Sequence, residues 1–344
     1  MKALVLQETG KLVMREEPVP QPGPGELLIQ TKAATICTSD LNDIKHNAFG
    51  IRMPMIMGHE GSGDVAAVGK GVQAFQVGDE ITAHPVMPCG HCRSCRRGLA
   101  HLCDEMSHLG IDRGGVFAEY FLIRADRARI IPHATVDYAV ASLMEPVSVC
   151  IEAIRRGNVG QGSDVLIMGD GPFGLLTAML LPRYTKGKVI VVGRHPFRLQ
   201  YAQNAICIND RETPDVQRAI AQATEGQGVD TAILCVGTTQ AVDTSIAALR
   251  SRGTLSVFSA VQPAPPVDLF KVHVKELNIC GSCNDDNEMD NALALLIDQS
   301  LGLGRIITHR LDFFTQWQEA FRLAEYGKDE ALKVSMTFQG GAGA

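Results

Sequence analysis

Between residues 155 and 284, apolar runs alternate with helical stretches, and no other feature constrains the fold of this chain so tightly. DVLIM, KVIVV, TAILCVG and TLSVFSA read as strands. GLLTAMLLPRY, RLQYAQNA, TPDVQRAIAQATEG and AVDTSIAALRSR read as helices between them. A strand that is apolar on both faces must be covered on both, so the alternation predicts a doubly wound parallel sheet. At its first strand–helix junction, MGDGPFG sets Gly169, Gly171 and Gly174 in G-x-G-x-x-G spacing, with Pro172 and Phe173 inside the motif. Alone, that spacing marks little more than a glycine turn. After an apolar strand and at the head of an apolar helix, it predicts a dinucleotide site. The glycines let the backbone approach a pyrophosphate, and the helix N-terminus offers N–H donors and partial positive charge.

The end of the next strand bears on which dinucleotide is bound. An acid there, about 20 residues on, takes the ribose 2′-hydroxyl of NAD. Here KVIVV runs into Gly193, Arg194 and His195, with no carboxylate. The expectation is NADP(H): Gly193 would leave room for a 2′-phosphate, Arg194 would pair with it, and Arg198 would assist. The competing reading is that Arg194 faces solvent and NAD binds through other contacts.

The first 150 residues have another grammar. ALVLQ, ELLIQTKAA, GDVAAVG and DEITAHP are short β-branched runs between glycine and proline turns, and FAEYFLIRADRARIIP reads as another pair of strands. They predict a mostly antiparallel β domain. After residue 284 come two helical segments, NEMDNALALLIDQS and TQWQEAFRLAEYG, with RIITHRLDF between them, and a last strand, ALKVSMTF. The GGAGA tail is expected to fray. A length of 344 residues suits two domains. The net charge of −6 and the 5% aromatic content argue against nucleic acid as a partner. With no signal-peptide pattern at the N-terminus and no apolar run of about 18 residues, the expectation is a cytoplasmic protein without membrane spans. Its ten cysteines then read as core residues or metal ligands rather than disulfides.

Four of them form a knot. MPCGHCRSCRRGLAHLC places Cys89, Cys92, Cys95 and Cys103 in C-x2-C-x2-C-x7-C spacing. Iron–sulfur runs begin alike but continue with x3-C-P, whereas here the gap is seven and Asp104 follows. Four thiolates make a closed tetrahedral zinc site with no open position, so this zinc is structural. A catalytic zinc needs about three protein ligands and one open position. Cys37 in ICTSDL, His59 and Glu60 in GHEGSG, and Glu145 in LMEPVSVCIEAIRRGNV are candidates, each ordinary when taken alone.

Taken together, CTSD, GHEGSGDVAAVGKGVQAFQVGDEI, the cysteine lobe, EPVSV with IRRGNV, and MGDGPFG follow in order along the whole chain. In this the sequence resembles the zinc-dependent medium-chain dehydrogenase/reductase family, in its polyol (sorbitol-like) and threonine dehydrogenase branch. The resemblance implies an α/β protein: a GroES-like β-barrel catalytic domain over residues 1–150 and 285–344, and a Rossmann domain over 151–284, with the active site between them. It implies that Cys37, His59 and Glu145 are catalytic-zinc ligands and that Glu60 is a ligand or close alternate. It assigns Ser39 the first step of a proton relay, and Cys89, Cys92, Cys95 and Cys103 the structural zinc. It further implies dimers or tetramers of one chain, and hydride transfer between a polyol or other small secondary alcohol and NAD(P). An NADPH-favouring carbonyl reductase and a threonine-type amino-alcohol dehydrogenase are the alternatives, with a non-catalytic metal-binding relative behind them. Three departures stand out. Relatives often carry a histidine where this chain has Asn42, with His46 a possible substitute; Gly193 replaces the strand-end acid; and Asn284 and Asp285 stand where polyol dehydrogenases tend to have Arg-Tyr.

Overall fold

The computed structural model describes residues 1–338; the GGAGA tail lies outside them. The chain divides into two compact units. The first comprises Met1–Ser148, Asp286–Ser300 and the described residues from Ile307 onward; the second comprises Val149–Asp285 and Leu301–Ile306.

In the first unit the elements, in chain order, are β1 (Lys2–Glu8), β2 (Lys11–Glu16), β3 (Glu26–Thr35), α1 (Thr38–His46), β4 (Met55–Ile56), β5 (Glu60–Val68), β6 (Glu80–Ala83) and β7 (Val86–Met87). Next come α2 (Arg93–Arg96), β8 (Ser107–His108), β9 (Tyr120–Arg124), β10 (Ala128–Ile130), α3 (Tyr138–Ala141) and the start of α4 (Met144–Arg156). The principal sheet runs β10-β6-β5-β3-β18-β17, with β9 also on β3; its last two strands, β17 (Ile307–Asp312) and β18 (Lys333–Thr337), return from the end of the chain. All its pairings are antiparallel except β17 with β18. Its core gathers Leu27, Ile29, Ile81, Phe117, Phe121, Phe313 and Met336, all essentially solvent-free. Strand register fixes the neighbours of Thr35 at the end of β3: Glu60 of β5 faces it on one side and Ser335 of β18 on the other.

The second unit holds a six-stranded parallel sheet, ordered β13-β12-β11-β14-β15-β16. Its strands are β11 (Val165–Met168), β12 (Val189–Gly193), β13 (Ile206–Asn209), β14 (Val229–Leu234), β15 (Leu249–Val257) and β16 (Asn278–Gly281). Between them lie α5 (Pro172–Leu180), α6 (Pro196–Leu199), α7 (Val216–Ala223), α8 (Thr239–Ala248) and α9 (Leu269–Val274). β11 and β12 are buried at every position, as strands covered on both faces must be. The order reverses at β11, and the doubly wound topology places ligands at that switch point.

Two local expectations fail for tertiary reasons. RLQYAQNA is not a helix: α6 stops at Leu199, and the chain turns to make β13, which pairs in parallel with β12. AVDTSIAALRSR divides at Leu249, which is buried and paired with Val229, so the helix ends at Ala248. In both places strand pairing overrides local helix preference.

Candidate active site

α1 begins at Cys37, its N-cap residue. The backbone N–H of Cys37 donates to Oδ2 of Asp40 at 2.8 Å, closing a capping box. The other oxygen of Asp40 lies 3.0 Å from Nδ1 of His59. One buried carboxylate thus fixes both the start of the helix and the imidazole. Burial would push the His59 imidazolium down in pKa, but Asp40 outweighs it and holds the ring well above the usual histidine range. A neutral ring with its Nδ1–H turned to Asp40 would leave Nε2 to face a metal.

Cys37, His59 and Glu60 are all buried, and one donor atom from each lies within 4.8 Å of the others. A tetrahedral zinc with bonds of about 2.0–2.3 Å spaces its ligand atoms roughly 3.3–3.8 Å apart. A buried thiol, imidazole and carboxylate at this separation therefore fit zinc. Glu145, in the first turn of α4, is buried but stands outside that group. Its negative charge instead acts on Lys333, helping to keep that ammonium protonated.

Lys333 was invisible as a site residue in the sequence. It opens β18, is 2% exposed, and places Nζ 2.5 Å from Oε1 of Glu60. Thr35 donates its hydroxyl to the other Glu60 oxygen. Desolvation opposes the Lys333 charge, and Glu60, Cys37 and Glu145 outweigh it, so its pKa rises above the usual lysine value. Because that value is raised, the pair's contribution to stability is present below the ordinary lysine range and is lost only as pH climbs through the raised value. Lys333→Met would leave the buried Glu60 carboxylate without its cationic partner, with only the Thr35 hydroxyl still donating to it. It is expected to lower unfolding free energy by about 3–5 kcal/mol, measured by urea denaturation at neutral pH.

Ser39 is half-buried, its hydroxyl 3.5 Å from Nε2 of His59. Asn42 and His46 are exposed on α1. His108 is a further neighbour that sequence reasoning missed: its ring centroid lies 5.6 Å from that of His59. Burial and the nearby His59 charge push its pKa down to about 4, so the ring is neutral near pH 7.

The four-cysteine lobe closes on itself. Sγ of Cys92 and Cys103 are 3.8 Å apart, and the Sγ atoms of all four cysteines lie within 4.8 Å of one another. Zinc–thiolate bonds of about 2.3 Å in a tetrahedron imply nearly that separation. Backbone N–H groups point at the sulfurs: Cys92 to Cys89, Cys95 to Cys92, and both Cys89 and Glu105 to Cys103. The N–H of Cys95 lowers the Cys92 thiol pKa, whereas desolvation and the adjoining Cys92 raise that of Cys95. Thiols this close resist ionising together until a cation joins them. None of the ten cysteines is in a disulfide.

In the second unit, Gly171 is the N-cap of α5 and Pro172 its first residue, an arrangement suited to a helix start. A Cβ on Gly171 would meet nothing within 4 Å, so the helix N-terminus is open to a ligand there. A Cβ on Gly174 would fall 2.1 Å from the carbonyl oxygen of Gly169, so glycine is required for helix and loop to pack. Phe173 stacks edge-on against Phe258. An open helix N-terminus behind a close-packed glycine loop is an arrangement that can take a pyrophosphate.

Residues 23–133 match the alcohol dehydrogenase GroES-like domain, and residues 172–298 match the zinc-binding dehydrogenase domain. Sorbitol dehydrogenase of Bacillus subtilis (strain 168) is 32% identical over 342 residues, covering 97% of this chain and 96% of the relative. The chain belongs to the zinc-dependent medium-chain dehydrogenase/reductase family. It is an oxidoreductase acting on CH–OH groups with a nicotinamide dinucleotide. Among solved structures, a protein of Sinorhizobium meliloti 1021 bound to NADP superposes with a TM-score of 0.91 at 28% identity, covering 98% of both chains. A short chain alcohol dehydrogenase from E. coli CFT073, complexed with NADH, gives 0.89 at 28% identity, covering 98% of this chain and 99% of that one.

At the cofactor end of this dehydrogenase, the space that a side chain at position 193 would take is already occupied. A Cβ there would lie 2.5 Å from Cβ of Asp170, whose side chain fills the space. Arg194 is half-exposed and pairs with Asp210 at 2.8 Å, at the edge of a cavity of about 590 Å³ that Arg211, Gln240 and Asp243 also line. Arg198 lies at intermediate burial on α6. Asp40 and Asp170 both sit inside motifs better known for their other residues; the acid in a C-x-x-D cap and the acid in G-D-G were the available signals. Lys333 had no signal, because β18 reaches the site only through the sheet order.

Proposed function

We propose that this dehydrogenase interconverts a polyol or another small secondary alcohol with its ketone, using two zinc ions per chain and favouring NADP(H) over NAD(H). The observation that carries the catalytic assignment is the buried Cys37–His59–Glu60 group with Asp40 behind His59. These three residues would hold the catalytic zinc, with Glu145 the further candidate ligand; Cys89, Cys92, Cys95 and Cys103 would hold the second, structural ion. When bound, the first zinc would supply a Lewis acid toward the substrate oxygen, and the nicotinamide a hydride acceptor or donor.

The chain's own residues do the rest. Asp40 holds the tautomer and orientation of His59. Lys333 and Thr35 hold the Glu60 carboxylate in one position. Ser39 takes the alcohol proton at Oγ and, being half-buried, passes it toward solvent without a titrating residue at 42. Arg194 supplies the positive charge for a 2′-phosphate. A dehydrogenase screen of polyols, sugar acids and hydroxy-amino acids with both cofactors tests the reading. Turnover confined to hydroxy-amino acids, or a strong preference for NAD, would count against it.

The reading includes self-association in the cytoplasm. No helix among the described residues is long and apolar enough to cross a membrane. β16 ends its sheet and, among the described residues, pairs with β15 alone. Beside it, α9 exposes Leu269, Phe270 and Val274, and β16 exposes Ile279. An open edge flanked by apolar side chains invites a second copy of the same strand. Phe270→Asp combined with Ile279→Lys is expected to halve the mass, or more, in light scattering after gel filtration; an unchanged mass would place the interface elsewhere.

A further inference from the structure

Asp170 stands between Gly169 and Gly171 of the glycine loop, and its carboxylate reaches across to the end of β12. Its Oδ2 accepts from the backbone N–H of Arg194 and of His195, each at 2.8 Å, and lies 3.0 Å from Nδ1 of His195. The side chain is 10% exposed. The geometry is mutually exclusive with an acid on the strand itself. A Cβ at position 193 would sit 2.5 Å from Cβ of Asp170 and 2.8 Å from both its Cγ and Oδ2. Gly193 is glycine because Asp170 is there. The acid that the sequence lacks at the strand end is therefore present in space, delivered from the neighbouring loop.

We propose that Asp170 is a cofactor-specificity residue: its carboxylate accepts from the ribose 2′-hydroxyl of the dinucleotide and disfavours a 2′-phosphate, limiting the NADP(H) preference that Arg194 confers. The proposal rests on the dinucleotide site at the head of α5. A carboxylate offers about four lone-pair directions. Three donors converge on Oδ2, which leaves Oδ1 for a sugar hydroxyl. The same arrangement acts against a phosphate in two ways. It occupies the backbone N–H groups of residues 194 and 195, which would otherwise be donors to an anion at this corner. It also sets a fixed negative charge, poorly screened by solvent, beside the place a second would occupy. Arg194 pulls the other way, but Asp210 already shares its guanidinium. Cofactor choice is then a balance between Asp170 and Arg194, rather than the outcome of an absent acid.

A loop brace would do something different. If Asp170 only held the loop, its loss would weaken phosphorylated and unphosphorylated cofactors alike. The test uses ADP-ribose and 2′-phospho-ADP-ribose as probes, bound to the full-length zinc-loaded protein and followed by calorimetry. These probes report the second unit without any turnover at the zinc site. Asp170→Asn keeps an acceptor for the backbone N–H groups and removes the charge. The ratio of affinities, 2′-phospho-ADP-ribose over ADP-ribose, is expected to rise at least about tenfold; a ratio within twofold of the wild type, or one that falls, overturns the proposal. Should that variant not fold, Asp170→Gly with Gly193→Asp moves the carboxylate onto the strand, glycine at 170 being needed to clear the contact. It is expected to keep the wild-type ratio within about threefold, and a rise of tenfold would contradict the role given to the carboxylate. If neither probe binds the wild type, the dinucleotide site itself is misassigned, and this proposal falls with it.

Discussion

Cys37→Ala is expected to leave a folded protein with one zinc fewer per chain and a kcat/KM reduced by about a thousandfold or more. A Lewis acid at the substrate oxygen is worth several kcal/mol of transition-state stabilisation, and about 4 kcal/mol corresponds to three orders of magnitude. The fold should survive because Cys37 lies at the start of α1, and the bond from its backbone N–H to Asp40, which the substitution leaves in place, still closes that end of the helix. Removing the thiol leaves a small gap rather than a stranded charge. His59→Ala should resemble it in activity but cost more stability, because Asp40 would lose its buried imidazole partner. Near-identical unfolding curves for wild type and Cys37→Ala, beside a collapsed turnover number, are the expected pair of results. Substantial residual turnover would move the chemistry away from this cluster.

Cys95→Ala is expected to do the reverse. It should also remove one zinc, but the first consequence is structural: a fall in Tm of roughly 10 °C or more, and proteolytic nicking between residues 88 and 104. The lobe has little core of its own. Of its four cysteines, two are only partly buried; of its two short helical turns, Arg93–Arg96 buries no residue and Ala100–Leu102 buries only His101. What organises it is convergence on a metal, and in small sites of this kind metal-binding free energy is folding free energy. Activity per folded molecule should fall far less than in Cys37→Ala. Thermal unfolding with and without a zinc chelator checks this, and an undiminished Tm for Cys95→Ala would sink the structural assignment.

Fold and chemistry were legible in the sequence to different depths. The parallel sheet was readable because β11 and β12 are apolar at nearly every position, and the glycine motif sits where a strand hands over to a helix. The cysteine lobe was readable because its four cysteines are close in sequence. Cys37, His59, Glu60 and Glu145 became candidates only through the order of motifs along the chain, since residues distant in sequence leave no local pattern. Three features escaped for three physical reasons. Lys333 reaches Glu60 because β18 pairs with β3, a long-range contact with no periodic signature. Asp40 works through a capping box, which looks alike whether or not the carboxylate also orients a histidine. Asp170 mattered most. An acid at the strand end is expected along the chain, whereas the fold brings this one in from the side, so Gly193 reads as space when that space is occupied.

The central claim is that the chemistry belongs to the dispersed Cys37–His59–Glu60 group and that the conspicuous cysteine knot braces the fold. Zinc content and turnover, measured on the same samples of wild type, Cys37→Ala and Cys95→Ala, test it most directly. Two zinc ions per chain are expected in the wild type and one in each variant, with turnover collapsing in Cys37→Ala and largely retained by the folded fraction of Cys95→Ala. A wild type with a single zinc, or turnover that survives loss of Cys37 and vanishes with Cys95, would contradict it.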